Sequence, residues 1–310
     1  MNTKPTPTST IHIRPARRED FRSIAALIAE QNQTPATQCL ISGEGAENIY
    51  QQMVAYEEIG EICFAVATCD DRLAGALGCE FDQNLGRGWT WGPFVPDGDW
   101  QHLASALFEE LLRILPPTIR RLDSFLHVEN RRGHRFYLDH GFRQERLAHV
   151  YLARRPPQPL ALPNPCPAFE RRYARSLIAL HDATFPNTYE TGPGMIAKID
   201  DDHQVFVCTG GDEVLGYVRA VVAPGAEEGE VEFLGVRADA RGQGRGRRLL
   251  LTALQWLFEV RKVGQVTLTV YDDRTPARSL YESAGLHLKH SGWGYRADLT
   301  GFRERPQAGG

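Results

Sequence analysis

Gly242, Gly244 and Gly246 alternate in the stretch RADARGQGRGRR, with Gln243 between them and Arg241, Arg245, Arg247 and Arg248 crowded around. Glycine accepts positive φ and lets a ligand reach bare backbone. The loop follows an apolar strand-like run and opens a helical pattern in which Leu250, Ala253, Leu254 and Leu257 share one face. Successive amides at such a place point at one spot, and the helix N-terminus adds partial positive charge. A diphosphate is the natural occupant, and the arginines can neutralise more of its charge. Just upstream, in EGEVEFLGV, Glu230 and Glu232 have the strand period and so share a face. Carboxylates so placed can take a proton from a bound group.

Other phosphate loops do not fit. A dinucleotide-binding turn needs GxGxxG, and position 247 is Arg; a P-loop needs GK[ST], which is absent here. An arginine-glycine segment for nucleic acid would be longer and lie in disordered sequence. Without their flanks, the glycines fit a tight turn with a solvated arginine rim equally well.

The elements that must position these residues come in two similar sets. The chain has 310 residues, enough for two ordinary domains, and its 42% hydrophobic and 24% charged content is that of a globular protein. A net charge of −4 gives no global basic field, so no nucleic-acid partner is expected. No apolar run approaches bilayer length and the start has no signal-peptide core, so no membrane partner is expected. Six cysteines form no CxxC pair, which leaves no metal site and points to a reducing, cytoplasmic home.

The proline-rich RRPPQPLALPNPCP, 154–167, reads as a semi-rigid linker. Before it, 11–153 reads as strand, helix, three strands, helix (100–114), strand, helix (131–140) and strand. After it, 168–300 repeats the order: a helix over 170–184, three strands ending at 230–236, a helix over 244–260, a strand over 265–271, a helix over 275–284 and a last strand. Residues 1–10, rich in Thr and Pro, read as disordered, and 301–310 as a tail. ENRRGHRFYLDHGF (129–142) lines up with DDRTPARSLYESAGL (272–286), Tyr137 with Tyr281 and Gly141 with Gly285, which suggests an internal duplication.

The strand, the R-G-x-G-x-G loop and the following xxLL resemble the signature of the GNAT superfamily of acetyl-CoA-dependent N-acetyltransferases. A second segment of that family, N-x-x-A-x-x-L-Y-E-x-x-G-F, is matched here by RTPARSLYESAGL at Ala277, Leu280, Tyr281, Glu282 and Gly285. Arg274 stands for the Asn and Leu286 for the Phe. The tandem layout resembles that of double-domain members such as mycothiol synthase.

The resemblance implies an α/β fold: two tandem domains, each a twisted, mostly antiparallel mixed sheet with flanking helices. It implies acetyl-CoA as cosubstrate, its diphosphate on residues 241–247 and its pantetheine arm along Leu234, Gly235 and Val236 by main-chain pairing. Gly235 is expected to clear the way for that arm. An alkylamine with a pKa of about 10 is protonated at neutral pH, so a base is needed. The family pattern E-V-x-x-L-[AG]-V puts the base at Glu230, with Glu232 as second choice or as a ligand for the amine. Tyr281 stands where the family commonly places the acid for the leaving thiolate. Tyr189 and Glu190, in TYETGPGM, stand where the substrate loop often lies.

The first half keeps Tyr137 but not the loop: Pro96, Asp97 and Asp99 occupy that turn, and aspartates repel a diphosphate. It is expected not to bind coenzyme A tightly. His287 and His290 make a poor metal pair, and the Asp200–His203 stretch reads as a solvated turn. The function read here is acetyl transfer from acetyl-CoA to a primary amine of a small molecule or peptide, in the second half, by a monomer or homodimer. The alternative is a non-catalytic acyl-CoA-binding or scaffolding protein.

Overall fold

The computed structural model describes residues 11–70, 72–96, 98–186, 188–222 and 228–300. The stretches expected to be disordered at 1–10 and to form a tail at 301–310, and Asp97 in the first-half turn, lie outside these.

Two compact units form, residues 1–147 with 292–310 and residues 148–291. In the first, β1 (Ile11–Pro15), β2 (Ile62–Cys69), β3 (Arg72–Asp82) and β4 (Arg87–Phe94) pair antiparallel in sequence order. β4 pairs parallel with β5 (Arg121–His127) after the crossover helix α3 (Trp100–Ile114). α1 (Phe21–Asn32) and α2 (Ala46–Glu58) lie between β1 and β2 in the chain, and α4 (Arg131–Asp139) follows β5. Leu103, Leu107, Phe108 and Leu111 of α3 recur at helical spacing and enter the same core as Val66, Leu77 and Phe94 of the sheet.

The second unit repeats the plan. β7 (His203–Gly210), β8 (Glu213–Val222) and β9 (Glu228–Val236) form an antiparallel meander, and β9 pairs parallel with β10 (Gln265–Tyr271). α7 (Arg245–Gln255) makes the crossover and runs into a π-helical turn, Trp256–Val260. Leu249, Leu250, Ala253, Leu254 and Leu257 cover one sheet face with Val218, Ala220 and Val231. On the other face, Leu177 of α5 (Ala174–Thr184) and Met195 of α6 (Gly192–Ala197) pack with Val205, Tyr217 and Phe233. α8 (Thr275–Ser283) follows β10.

The expected halves, 11–153 and 168–300, differ from these units at their ends. β6 (Arg143–Arg154) and β11 (His287–Asp298) are exchanged. Residues 148–154 of β6 pair antiparallel with β10 and close the second unit. Residues 292–298 of β11 pair antiparallel with β5 and close the first. Each unit therefore takes its closing strand from the other half of the sequence. The proline-rich stretch also belongs to the second unit. The N–H of Arg155 donates to Gly264 O at 2.9 Å, that of Leu160 to Glu259 Oε1 at 3.1 Å, and that of Cys166 to Thr252 Oγ1 at 2.9 Å.

Candidate functional site

The glycine loop stands open at the mouth of α7. Gly242 and Gly244 both have φ +73°, and Gly244 is the N-cap. Residues 241–244 are exposed. Among the described residues, the N–H groups of 244–247 make no hydrogen bond to the chain; Arg248 N–H bonds Gly244 O at 3.0 Å. These are the orphan donors of a helix start with nothing of the chain's own to satisfy them. Two arginines brace the loop. Arg241 Nε donates to Val236 O at 3.1 Å, and Arg245 donates to Ala240 O at 3.0 Å and to Gln243 Oε1 at 2.6 Å. Arg247 reaches Ser283 O at 3.4 Å, and Arg248 donates to Cys166 Sγ at 3.2 Å. The donor set fits a diphosphate: free amides, a dipole and cations at the rim.

β9 leads into this loop through a fork. Its parallel pairing with β10 ends at Glu230↔Thr267, while its pairing with β8 runs on to Val236↔Gly216. From 231 to 236 the β10 side of β9 has no described strand partner, so Leu234, Gly235 and Val236 sit where an extended ligand can add as a strand. The role expected of Gly235 is corrected. A Cβ there would meet Tyr217 Cε1 at 3.0 Å and Phe185 Cε2 at 3.5 Å, so its missing side chain makes room for packing of the α5 face.

A bulge sets the carboxylates. Ala220 pairs with Val231 and Arg219 with Phe233, leaving Glu232 as the extra residue of β9. Gly229 and Val231 face α7, whereas Phe233 and Gly235 face α5. Strand alternation places Glu230 on the α5 face, and Glu232 lies beside Arg219. Both carboxylates act on the Tyr189 phenol, which burial holds well above its ordinary range, with Glu232 and Glu230 adding to the shift. Their expected common face and the nearness of Tyr189 and Glu190 are both present.

Sequence reading missed what holds this cluster. Arg219, 3% exposed at its side chain, lies 3.0 Å from Glu232 Oε2 through Nε and 3.3 Å from Glu190 Oε2 through NH1. The Nε–Oε2 approach is an ion pair without the alignment of a hydrogen bond. Lys198 Nζ donates to Glu190 Oε2 at 2.7 Å. His181 donates from Nε2 to Glu190 O at 3.0 Å and accepts from Tyr217 OH at 2.6 Å. A lone cation in the apolar run EVLGYVRAVV was the available signal for Arg219. Burial raises the Glu232 carboxyl above its usual range; Arg219 opposes the shift and Glu190 adds to it.

Tyr281 stands on α8, packed against the start of α7. Leu280 Cδ2 is 3.3 Å from where a Cβ on Gly246 would lie, which ties α8 to the loop. Tyr281 is 8% exposed and packs on Tyr151 with ring centroids 6.0 Å apart. Burial pushes its phenol up to about 12, so it carries its proton through neutral pH.

The first unit has the same fork, since β4 and β5 pair only from Arg87↔Arg121 to Trp89↔Asp123. There Tyr137, fully buried, fills it: its OH donates to Gly92 O at 2.7 Å and lies 2.8 Å from Thr90 Oγ1. Asp99 caps α3, accepting from His102 N at 3.3 Å, so a carboxylate already occupies the place of an anion. Asp200 turns the chain into β7 by accepting from the N–H groups of Asp202 and His203, each at 2.8 Å. Among the described residues, no group of three His, Cys, Asp or Glu is placed to hold a metal ion. No helix among them is long and apolar enough to cross a membrane.

Residues 174–286 match the acetyltransferase (GNAT) family. The chain is 37% identical over 91 residues to a mycothiol acetyltransferase of Nocardioides sp., a stretch covering 26% of this chain and 30% of that relative. A GCN5-related N-acetyltransferase from Sphaerobacter thermophilus superposes with a TM-score of 0.69 at 20% identity, over 93% of this chain and 96% of the other. A tandem GNAT protein from the clavulanic acid biosynthesis pathway gives 0.63 at 12% identity, over 93% and 98%. At those identities the likeness is one of fold. Residues 174–286 thus resemble the acetyltransferase (GNAT) family, and the fold is similar to that of tandem GNAT proteins.

Proposed function

We propose that the second unit transfers an acetyl group from acetyl-CoA to a primary amine of a small molecule or peptide. The observation that carries this reading is the turn 242–247, exposed through Gly244 and with the amides of 244–247 unengaged among the described residues, at the end of a forked strand that bears Glu230 and Glu232. When bound, the thioester supplies an activated acetyl carbonyl. The amides of 242–247 and Arg247 hold the diphosphate, and Leu234–Val236 orient the pantetheine arm. Glu230, at the position where the family pattern places the base, takes the proton of the attacking amine, directly or through water. Tyr281 gives its proton to the departing sulfur. Two carboxylates on the acceptor side also attract a cationic amine.

One observation favours Glu232 as the base instead: its raised pKa brings it nearer to the working pH, where a general base is most effective. The first unit does not turn over acetyl-CoA on this reading, because Tyr137 and Asp99 fill the matching positions.

A panel of amines, including aminoglycosides, with release of free thiol from acetyl-CoA as readout, tests the proposal. Turnover lost in Glu230→Gln with coenzyme A binding retained is the expected result. Coenzyme A binding with no turnover on any amine would support the non-catalytic alternative.

A further inference from the structure

Cys166 and Cys208 are free thiols, each 3% exposed, whose sulfurs lie 3.0 Å apart. That is inside the contact distance of unbonded sulfurs, and the backbone explains it. β7 is the last strand of the second unit's sheet. Residues 166–169 run antiparallel beside it, with Ala168 bridged to Phe206. Phe169 N–H donates to Val205 O at 2.8 Å, and Val207 N–H to Pro167 O at 2.9 Å. The same register sets Cys166 opposite Cys208 at a site without cross-strand hydrogen bonds. There Cα atoms approach to about 4.5 Å and side chains come closest. That separation falls within the range a disulfide accepts.

A cation completes the site. Arg248, in the first turn of α7, donates from Nε to Cys166 Sγ at 3.2 Å, and Thr252 Oγ1 accepts from Cys166 N–H at 2.9 Å. The hydrogen bond from Cys208 and then Arg248 draw the Cys166 thiol below its ordinary value, while Cys208 is pushed up. Cys63 and Cys79 of the first unit also face each other across two strands, but burial drives Cys63 up to about 12 and Cys79 well above its ordinary value. A thiolate is the nucleophile in oxidation, so the two pairs differ in reactivity as well as place.

We propose that Cys166 and Cys208 are a redox-active dithiol that hydrogen peroxide closes to a reversible disulfide. The Cys166 thiolate attacks one peroxide oxygen, the O–O bond breaks, and hydroxide leaves, giving a sulfenic acid on Cys166. The Cys208 sulfur then attacks the Cys166 sulfur, the S–O bond breaks, and the oxygen leaves as water after taking the Cys208 proton. In sum, two thiols and one peroxide become a disulfide and two waters. The bond pins the end of the proline-rich stretch to the edge strand β7, to which two backbone hydrogen bonds, making the Ala168–Phe206 bridge, otherwise join it.

The full chain is treated with a slight excess of peroxide, alkylated and mapped by mass spectrometry without reduction. A linked pair of peptides containing Cys166 and Cys208, two hydrogens lighter than their sum and separated by dithiothreitol, is expected. Cys208→Ser is expected to leave a sulfenic acid on Cys166 that dimedone captures. Arg248→Gln is expected to slow the linkage about tenfold. If both thiols stay open to alkylation while other cysteines oxidise, or if Cys166 passes to sulfinic acid without linking, the proposal is overturned. Acetyl transfer plays no part in the readout, so the functional reading stands or falls separately.

Discussion

Arg219 Nε lies 3.0 Å from Glu232 Oε2, and the same guanidinium reaches Glu190 at 3.3 Å, so one buried cation holds two carboxylates. Removing it leaves Glu232 without this cation and Glu190 with Lys198 alone. Arg219→Leu is expected to cost about 3–5 kcal/mol at neutral pH. The sign with pH follows from Glu232, whose folded pKa lies above its unfolded value. Such a group favours the folded state below the unfolded pKa and loses that contribution as pH rises through the folded pKa. The variant's deficit should therefore shrink toward pH 5 and grow toward pH 8. Urea unfolding at both values measures it; a deficit independent of pH would mean that the carboxylates are not its source.

Glu230→Gln and Glu232→Gln separate the two candidate bases. Loss of the base lowers kcat by about 10²–10⁴-fold, whereas loss of a binding carboxylate acts mainly on KM. If Glu232 is the base, the acidic limb of kcat/KM in the parent protein falls above the ordinary carboxylate range, as its raised pKa requires. An acidic limb within the ordinary carboxylate range would count against Glu232 as the base.

Tyr281→Phe is expected to lower kcat by about 10²-fold. Because burial raises this phenol to about 12, no fall in rate from Tyr281 is expected below about pH 10. Tyr137→Phe should leave kcat unchanged and cost about 1–2 kcal/mol, since its OH is bonded to Gly92 O and Thr90 Oγ1 in the core. Equal kinetic effects of the two substitutions would undo the assignment of activity to the second unit.

Gly244→Ala places a side chain at φ +73°, at a cost of about 1–2 kcal/mol. It should also raise KM for acetyl-CoA, because the cap that aims the amides shifts. Gly235→Ala should lower stability by crowding Tyr217, with a smaller effect on KM. Thermal unfolding beside cofactor titration distinguishes them.

Glu80 gives a pH dependence to the first unit. Burial raises its carboxyl to about 7, against a hydrogen bond from Trp91 Nε1 at 3.2 Å. Its folded pKa exceeds the unfolded value, so its contribution is present below about pH 4.5 and is lost as pH rises through about 7. Glu80→Gln should flatten that loss between pH 5 and 8. Calorimetric midpoints across this range that fall equally in both proteins would place the titration elsewhere.

Most of the site was legible because its signals are local. The loop glycines announce their own backbone, the Glu230–Glu232 pair follows from strand period, and Tyr281 is marked by the resemblance of its segment to the family's second motif. What was not legible depends on partners far away in sequence. α2 shows only Ile49 and Met53 as buried apolar positions, too thin a stripe to stand out between Gly45 and Gly60. The bulge at Glu232 exists only against Arg219 and Ala220 of β8. Gly235 was read against a ligand, whereas Tyr217, eighteen positions earlier, is what needs the space. β6 and β11 have ordinary strand sequences, and nothing in them names the strand each will join.

The exchange of those two strands has a consequence for anyone who would cut the protein at its prolines. A fragment ending at Arg154 carries away the strand that β10 needs and lacks the one that lies against β5. Neither product would be a whole folding unit. The first unit cannot be finished until β11 has been made, so the second unit, though encoded later, is the first that can complete itself.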